Sequence, residues 1–161
     1  MGHSFKHLAG FGKRMEYWII GRMLKEGIDV YVPLVDDDAI DAVIRRSAGS
    51  FITVQIKARS KSVVKGNAAI FSVKPHKRKS HMPKKKDYWF VFYSERMDMM
   101  WIMSEKEFIK KSLKTKSGKW KGLRSISFNG RKTEKKSGKV TEHCKPQFIE
   151  YIAEDFSRLK K

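Results

Sequence analysis

Residues 12–58 decide the fold of this chain; they are GKRMEYWIIGRMLKEGIDVYVPLVDDDAIDAVIRRSAGSFITVQIKA. The first half of this stretch predicts the main part of a long helix over residues 5–26, because apolar side chains recur there at helical spacing. Gly27 follows the last of them and is typical of a helix end. The apolar stripe consists of Met15, Tyr17, Ile19, Ile20, Met23 and Leu24.

The second half of the same stretch predicts three short β-strands, over residues 28–34, 39–45 and 51–58. The short connection at 47–50 favours an antiparallel hairpin between the second and third strands. An acidic turn precedes the second strand and consists of Asp36, Asp37 and Asp38.

Further elements follow toward the C-terminus. A strand is predicted at 68–73, and the apolar run YWFVFY at 88–93 is typical of a strand covered on both faces. Residues 99–104 are predicted to pair with that run. Ser104 and Glu107 match a capping box, which predicts a helix to about residue 114.

The last third of the chain, residues 115–161, predicts a basic loop and a C-terminal helix. The loop has too few apolar residues for a core of its own, although RSISFNG at 124–130 favours a short strand and turn. The helix is predicted over 145–159, with Phe148, Ile152 and Phe156 on one face. The chain is therefore expected to be a single α+β or α/β domain over 1–161, with a core at about 5–114 and a basic C-terminal extension.

The formal charge of +19 is concentrated in two segments. Residues 74–86 hold seven Lys or Arg and no acid, and residues 110–145 hold thirteen against two acids. Two such runs favour a polyanion partner, DNA or RNA, over the alternative of a solvated loop. An anionic membrane is not expected, because neither run has an amphipathic apolar stripe. The predicted nucleic-acid contacts are Lys74, Lys77, Arg78, Lys79, Lys84, Lys85, Lys86, Lys119, Lys121, Arg124, Arg131, Lys132, Lys135 and Lys136.

Cysteine content and hydropathy favour a cytoplasmic location. Cys144 is the single cysteine, so no internal disulfide forms, and no zinc-binding pattern surrounds it. No apolar stretch approaches the roughly 20 residues that cross a bilayer, and the N-terminus lacks the apolar core of a signal peptide.

Four polar residues form a candidate site. Alternation along 51–58 places Gln55 and Lys57 on one face, and a favourable hairpin register brings Asp41 beside Gln55. Glu16 lies on the predicted helix. Simpler interpretations are also open: the wet face of a half-buried strand for Gln55 and Lys57, a surface carboxylate for Glu16, and plain turn residues for Asp36, Asp37 and Asp38.

The order of these residues resembles the PD-(D/E)XK nuclease superfamily: a helix with Glu16, then D-x-x-I-D ending in Asp41, then Q-I-K with Gln55 and Lys57. Gln55 stands where members usually have Glu. The resemblance implies a restriction-endonuclease-like core, with a mixed central sheet flanked by helices. It also implies hydrolysis of phosphodiester bonds with Mg²⁺ or Mn²⁺.

The same resemblance implies roles for the site residues. Asp41, the Gln55 carbonyl and the Ile56 backbone carbonyl would hold the ion, and Glu16 a second ion or a metal-bound water. Lys57 would orient the attacking water or stabilise charge at phosphorus. A resolvase-like or site-specific endonuclease acting on DNA as a homodimer is expected. Trp101, Trp120 and Phe128 are candidates for base stacking, but the apolar run around Trp101 favours a core position for that residue. The alternatives are a catalytically silent nuclease fold and an unrelated RNA-binding protein.

Overall fold

The computed structural model describes residues 5–35, 38–74 and 87–161. Asp36 and Asp37 of the predicted turn lie outside these residues, as do six of the predicted nucleic-acid contacts: Lys77, Arg78, Lys79, Lys84, Lys85 and Lys86.

Three α-helices and ten β-strands make up this part of the chain. In order they are α1 (Phe5–Lys25), β1 (Asp29–Tyr31), β2 (Ala42–Arg45), β3 (Phe51–Arg59), β4 (Ile70–Val73), β5 (Tyr88–Ser94), β6 (Met99–Ser104), α2 (Glu105–Lys111), β7 (Leu113–Lys114), β8 (Arg124–Ser127), β9 (Asn129–Thr133), β10 (Val140–Cys144) and α3 (Ser157–Lys160). A 3-10 helix occupies Pro146–Tyr151. Among the described residues no helix has the length and apolar character needed to span a membrane.

A mixed five-stranded sheet forms the centre, in the order β1-β2-β3-β5-β6. β3 and β5 run parallel, and the other neighbours are antiparallel. Two smaller sheets accompany it, β4-β8-β7 and the hairpin of β9 and β10. The predicted mixed sheet with flanking helices is therefore confirmed.

The first helix ends as its sequence predicts. Gly27 has φ +72°, its N–H donates to the Leu24 carbonyl, and the Ile28 N–H donates to the Met23 carbonyl. These two bonds form the Schellman arrangement, in which a residue without Cβ takes the left-handed conformation at no steric cost. The predicted stripe is only partly correct, because Ile19, Ile20 and Met23 are buried while Tyr17 and Leu24 are exposed.

Two hydrophobic clusters cover the opposite faces of the sheet. Alternate residues of β5 enter them: Val91 packs with α1 and β3, while Phe92 packs with β4, β8 and α2. Because β5 is buried on both faces, the prediction for the YWFVFY run is confirmed. The predicted capping box is also confirmed, since Ser104 Oγ accepts from the Glu107 N–H and the Glu107 carboxylate accepts from the Ser104 N–H.

The prediction of one continuous C-terminal helix over 145–159 is wrong. An extended link separates the 3-10 helix from α3, and in it Ile152 forms a β-bridge with Trp101 of β6. The reason is packing: Phe148 belongs to the cluster of Phe92, whereas Phe156 belongs to the cluster of Val91. The chain must pass around the β6 edge to fill both clusters, and one straight helix reaches only one of them.

Residues 115–145 contain more regular structure than the predicted loop. The short strand predicted at RSISFNG is confirmed as β8, and β9 and β10 add a hairpin that the sequence did not predict. Phe128 is fully buried, and its ring stacks on that of Trp101 with 4.6 Å between centroids. These two rings are therefore core residues and not base-stacking surfaces, while Trp120 remains 54% exposed.

Candidate active site

The candidate site lies just before the start of β2, where β3 extends beyond its pairing with β2. Pairing between the two strands starts at Ala42 opposite Val54, and the Asp41 N–H donates to the Val54 carbonyl at 2.9 Å. The Ile56 N–H, which β2 no longer reaches, donates to Asp41 Oδ2 at 2.6 Å. Asp41 is thus fixed, through its own backbone and its carboxylate, against the two residues that flank Gln55.

Gln55 is buried, with 7% of its surface exposed. Its Oε1 atom is buried and has no hydrogen-bond partner among the residues that the structure describes. A buried amide oxygen without a partner costs about 1–3 kcal/mol, so native proteins rarely keep one without a use. The orphaned oxygen marks a place for an external electron-pair acceptor, either a hydrogen-bond donor or a cation.

The backbone of Ile56 adds a second oxygen. In an extended strand the N–H and C=O of one residue project from the same edge. Because the Ile56 N–H faces Asp41, the Ile56 carbonyl also leaves β3 on the Asp41 side. The Asp41 carboxylate and the Ile56 carbonyl therefore lie along the same edge of β3, and the Gln55 side chain branches from the preceding residue.

The first helix brings a carboxylate and an ammonium to the site. Glu16 is 8% exposed, and its Oε1 lies 2.6 Å from the Lys13 ammonium. This hydrogen bond, with smaller contributions from the charges of Glu16 and Asp41, raises the pKa of Lys13 above its ordinary value. Lys13 thus lies within electrostatic reach of both carboxylates and stays positively charged. It was not predicted, although its position one turn before Glu16 could have indicated it.

Lys57 lines an open cleft of about 330 Å³ between α1, the end of β3 and β4. Gly12 of α1 forms part of the wall, and a Cβ built on it meets no atom within 4 Å. Lys57 itself is half-buried.

The oxygen donors fit a hard divalent cation such as Mg²⁺ or Mn²⁺ better than a metal that prefers nitrogen or sulfur ligands. Mg²⁺ prefers carboxylate, carbonyl and water oxygens, and Asp41, Gln55 and Ile56 supply the first two kinds. Over residues 5–35, 38–74 and 87–161, no three His, Cys, Asp or Glu side chains are grouped as metal ligands. A metal here would depend on the neutral oxygens of Gln55 and Ile56, with Glu16 occupied by Lys13.

The eight predicted nucleic-acid contacts among the described residues fall into two groups. Lys74, Lys119, Lys121, Lys132, Lys135 and Lys136 are exposed. Arg124 instead donates to the Ile109 carbonyl and to Ser112 Oγ, which ties the end of α2 to β8. Arg131 is exposed but donates to the Lys65 carbonyl. The two arginines therefore hold the fold together at these contacts.

Comparisons with known proteins agree with this geometry. The family described as PD-(D/E)XK endonuclease matches residues 9–133. A solved structure of a bacterial homing endonuclease matches with a TM-score of 0.53 and 22% identity, over 88% of this chain and 85% of that one. At this identity the likeness shows the fold alone, a restriction-endonuclease-like core. A search of curated proteins finds no match. The family match spans most of the sequence and contains every candidate residue of the site, so this chain belongs to the PD-(D/E)XK endonuclease family.

Proposed function

We propose that the protein is a metal-dependent endonuclease that hydrolyses phosphodiester bonds in DNA. The observation that carries this proposal is the orphaned, buried Oε1 of Gln55 beside the contact between Asp41 and Ile56. In a family of endonucleases, a magnesium or manganese ion is the partner that such an oxygen set would take.

Asp41, Gln55 and the Ile56 carbonyl would hold the ion, which would polarise the phosphoryl oxygen and lower the pKa of water. Lys57 lines the cleft that would receive the phosphodiester and would stabilise negative charge developing on its oxygens. Glu16 and Lys13 would keep the charge of the cleft balanced when no substrate is present.

DNA is the substrate that the charge distribution favours. Exposed lysines on the 115–145 segment would contact phosphates and position the duplex without reading bases. The likeness to a homing endonuclease favours a site-specific enzyme over a resolvase-like one. A homodimer would supply one site for each strand of the duplex.

A cleavage assay tests this proposal. Supercoiled plasmid and four-way-junction DNA are incubated with the full chain and Mg²⁺ or Mn²⁺. Asp41→Asn and Lys57→Ala should each slow cutting by at least about 100-fold while DNA affinity stays within about threefold. Glu154→Gln and Lys106→Ala, at exposed positions on other surfaces, are the matched controls and should cut as the parent does.

A silent nuclease fold that only binds nucleic acid is the second candidate. It is favoured by the absence of a three-carboxylate cluster among the described residues and by the pairing of Glu16 with Lys13. Tight binding by the parent without cutting in either metal would support this candidate. Equal loss of DNA binding in Asp41→Asn and Lys57→Ala would contradict a catalytic role for these residues.

A further inference from the structure

The β9–β10 hairpin has two chemically different faces. In an antiparallel pair, directly opposed residues point to the same side, and successive residues alternate. The register places Asn129 with Cys144 and Arg131 with Glu142 on one face, and therefore Gly130 with His143 and Lys132 with Thr141 on the other.

The first of these faces is docked on the body of the protein. Glu142 Oε1 accepts from the Gly66 N–H at 2.6 Å and from Asn129 Nδ2 at 3.1 Å, and Oε2 lies 3.2 Å from the Arg96 guanidinium. Asn129 is buried and accepts from the Ala69 N–H. The Arg131 guanidinium packs so closely over Gly66 that any Cβ there would overlap it. These part-buried, charge-assisted bonds attach the hairpin to the 66–69 connection and to Arg96.

The second face is open to solvent. Lys132, Thr141 and His143 are exposed. Gly130 is part of this arrangement, since a Cβ at that position would lie 2.7 Å from His143 Nε2. The missing side chain lets the imidazole of His143 lie across the ribbon, with Nε2 over Gly130. Lys135, Lys136 and Lys139 surround the exposed turn that follows.

The docked face also sets where the hairpin stands relative to the cleft. Gly66 and Ala69 belong to the connection that follows β3, and Arg59 at the end of β3 donates to the Asn67 carbonyl in the same connection. Arg59 lies two residues beyond Lys57, or about 7 Å along the strand. The docked face is thus anchored near the end of β3 that carries Lys57.

We propose that the β9–β10 hairpin enters the major groove of DNA and reads bases with Lys132, Thr141 and His143. This proposal rests on the proposed function. A two-stranded ribbon fits a groove about 12 Å wide, and lysine, hydroxyl and imidazole groups match the purine N7 and O6 atoms displayed there. The narrow, deep major groove of A-form RNA excludes such a ribbon, so the geometry favours duplex DNA. Lys135, Lys136 and Lys139 contact the flanking phosphates.

The experiment selects preferred duplexes from a randomised DNA library with the full chain carrying Asp41→Asn. Each purine of the preferred sequence is then replaced in turn by its 7-deaza analogue, which removes only the major-groove N7 acceptor. At one or more purines the loss of N7 should lower affinity about tenfold. In the Lys132→Ala/His143→Ala background the same replacement should cause no further loss, whereas Lys106→Ala, on α2, should respond as the parent does.

Three results would overturn the proposal. They are selection without any sequence preference, insensitivity of the parent to every 7-deaza replacement, and equal sensitivity in the double variant. A duplex RNA of the selected sequence should bind at least tenfold more weakly, and equal binding would also count against groove reading. If the parent cuts DNA while the hairpin result is negative, this inference fails alone; if no DNA binds, it fails together with the proposed function.

Discussion

The N–H of Ile56 donates a 2.6 Å hydrogen bond to Oδ2 of Asp41, across fifteen residues of sequence. This bond does two things at once. It satisfies a backbone group that β2 leaves unpaired, and it holds the carboxylate against β3 at the residue that follows Gln55. An asparagine at position 41 keeps an acceptor for the Ile56 N–H but removes the charge, which makes it the appropriate probe of chemistry.

Gln55→Glu should make the fold depend on a divalent ion. A second buried carboxylate near Asp41 should lower the free energy of unfolding by roughly 2 kcal/mol in EDTA, because like charges repel at short range. That corresponds to a melting temperature about 4–8 °C lower for a chain of this size. Adding Mg²⁺ should restore most of the lost stability. Gln147→Glu, at an exposed position, is the control, and an equal loss with and without Mg²⁺ would contradict a shared ion.

Lys13→Gln should tighten metal binding. Removing an ammonium near Glu16 and Asp41 makes the cleft more negative, and Mg²⁺ affinity measured by calorimetry should rise about fivefold. Since the pKa of Lys13 is raised, its ammonium stays fully protonated below the ordinary pKa of lysine and loses its proton only above that pKa. The gain should therefore be equal at about pH 6 and about pH 9. Lys25→Gln, at the other end of α1, should leave the affinity unchanged; weaker binding in Lys13→Gln would show that Lys13 positions the carboxylates.

Glu142→Gln should destabilise the domain through the hairpin anchor. The largely buried side chain loses its charged bond to Arg96, and the new NH2 group faces a hydrogen-bond donor in either orientation of the amide. Bonds to charged groups are worth about 1.5–3 kcal/mol, and denaturant unfolding should show a loss in that range. Glu134→Gln in the exposed hairpin turn should change stability by less than about 0.5 kcal/mol. A comparable small change at both positions would mean that the anchor contributes little.

DNA affinity should depend steeply on salt. If roughly 6–10 phosphates are contacted, affinity should fall about 10³–10⁵-fold between about 50 and 200 mM salt. Replacing the exposed Lys135 and Lys136 by alanine should reduce the slope by about two. A flat response, measured by fluorescence anisotropy with a labelled duplex, would remove nucleic acid as the partner.

The central elements could be predicted from sequence because their signals are local. Gly27 ends α1, Ser104 and Glu107 cap α2, and the YWFVFY run is a strand buried on both faces, all as predicted. Strand alternation predicts that Gln55 and Lys57 share one face of β3, and the helical spacing of apolar residues predicts that Glu16 lies on α1. Local spacing alone was enough to match the family's order of residues.

The remaining structure depends on contacts between distant residues. The link at Ile152 bridges to Trp101, and the neighbouring Ala153 N–H bonds to Met100 of β6. Nothing in the helical spacing of Phe148 and Phe156 indicates that they fill clusters on opposite faces. The β9–β10 hairpin was missed for a related reason, since its stability comes from Glu142 and its partners in the 66–69 connection and not from an apolar alternation.

The shared metal site can be tested in a crystal grown in Mn²⁺ and measured at a wavelength with manganese anomalous scattering. One anomalous peak is expected, with oxygen distances of about 2.1 Å to the Asp41 carboxylate and to Gln55 Oε1. A map with both side chains ordered and no peak between them would show that they do not share a metal, as would a peak found only elsewhere on the chain.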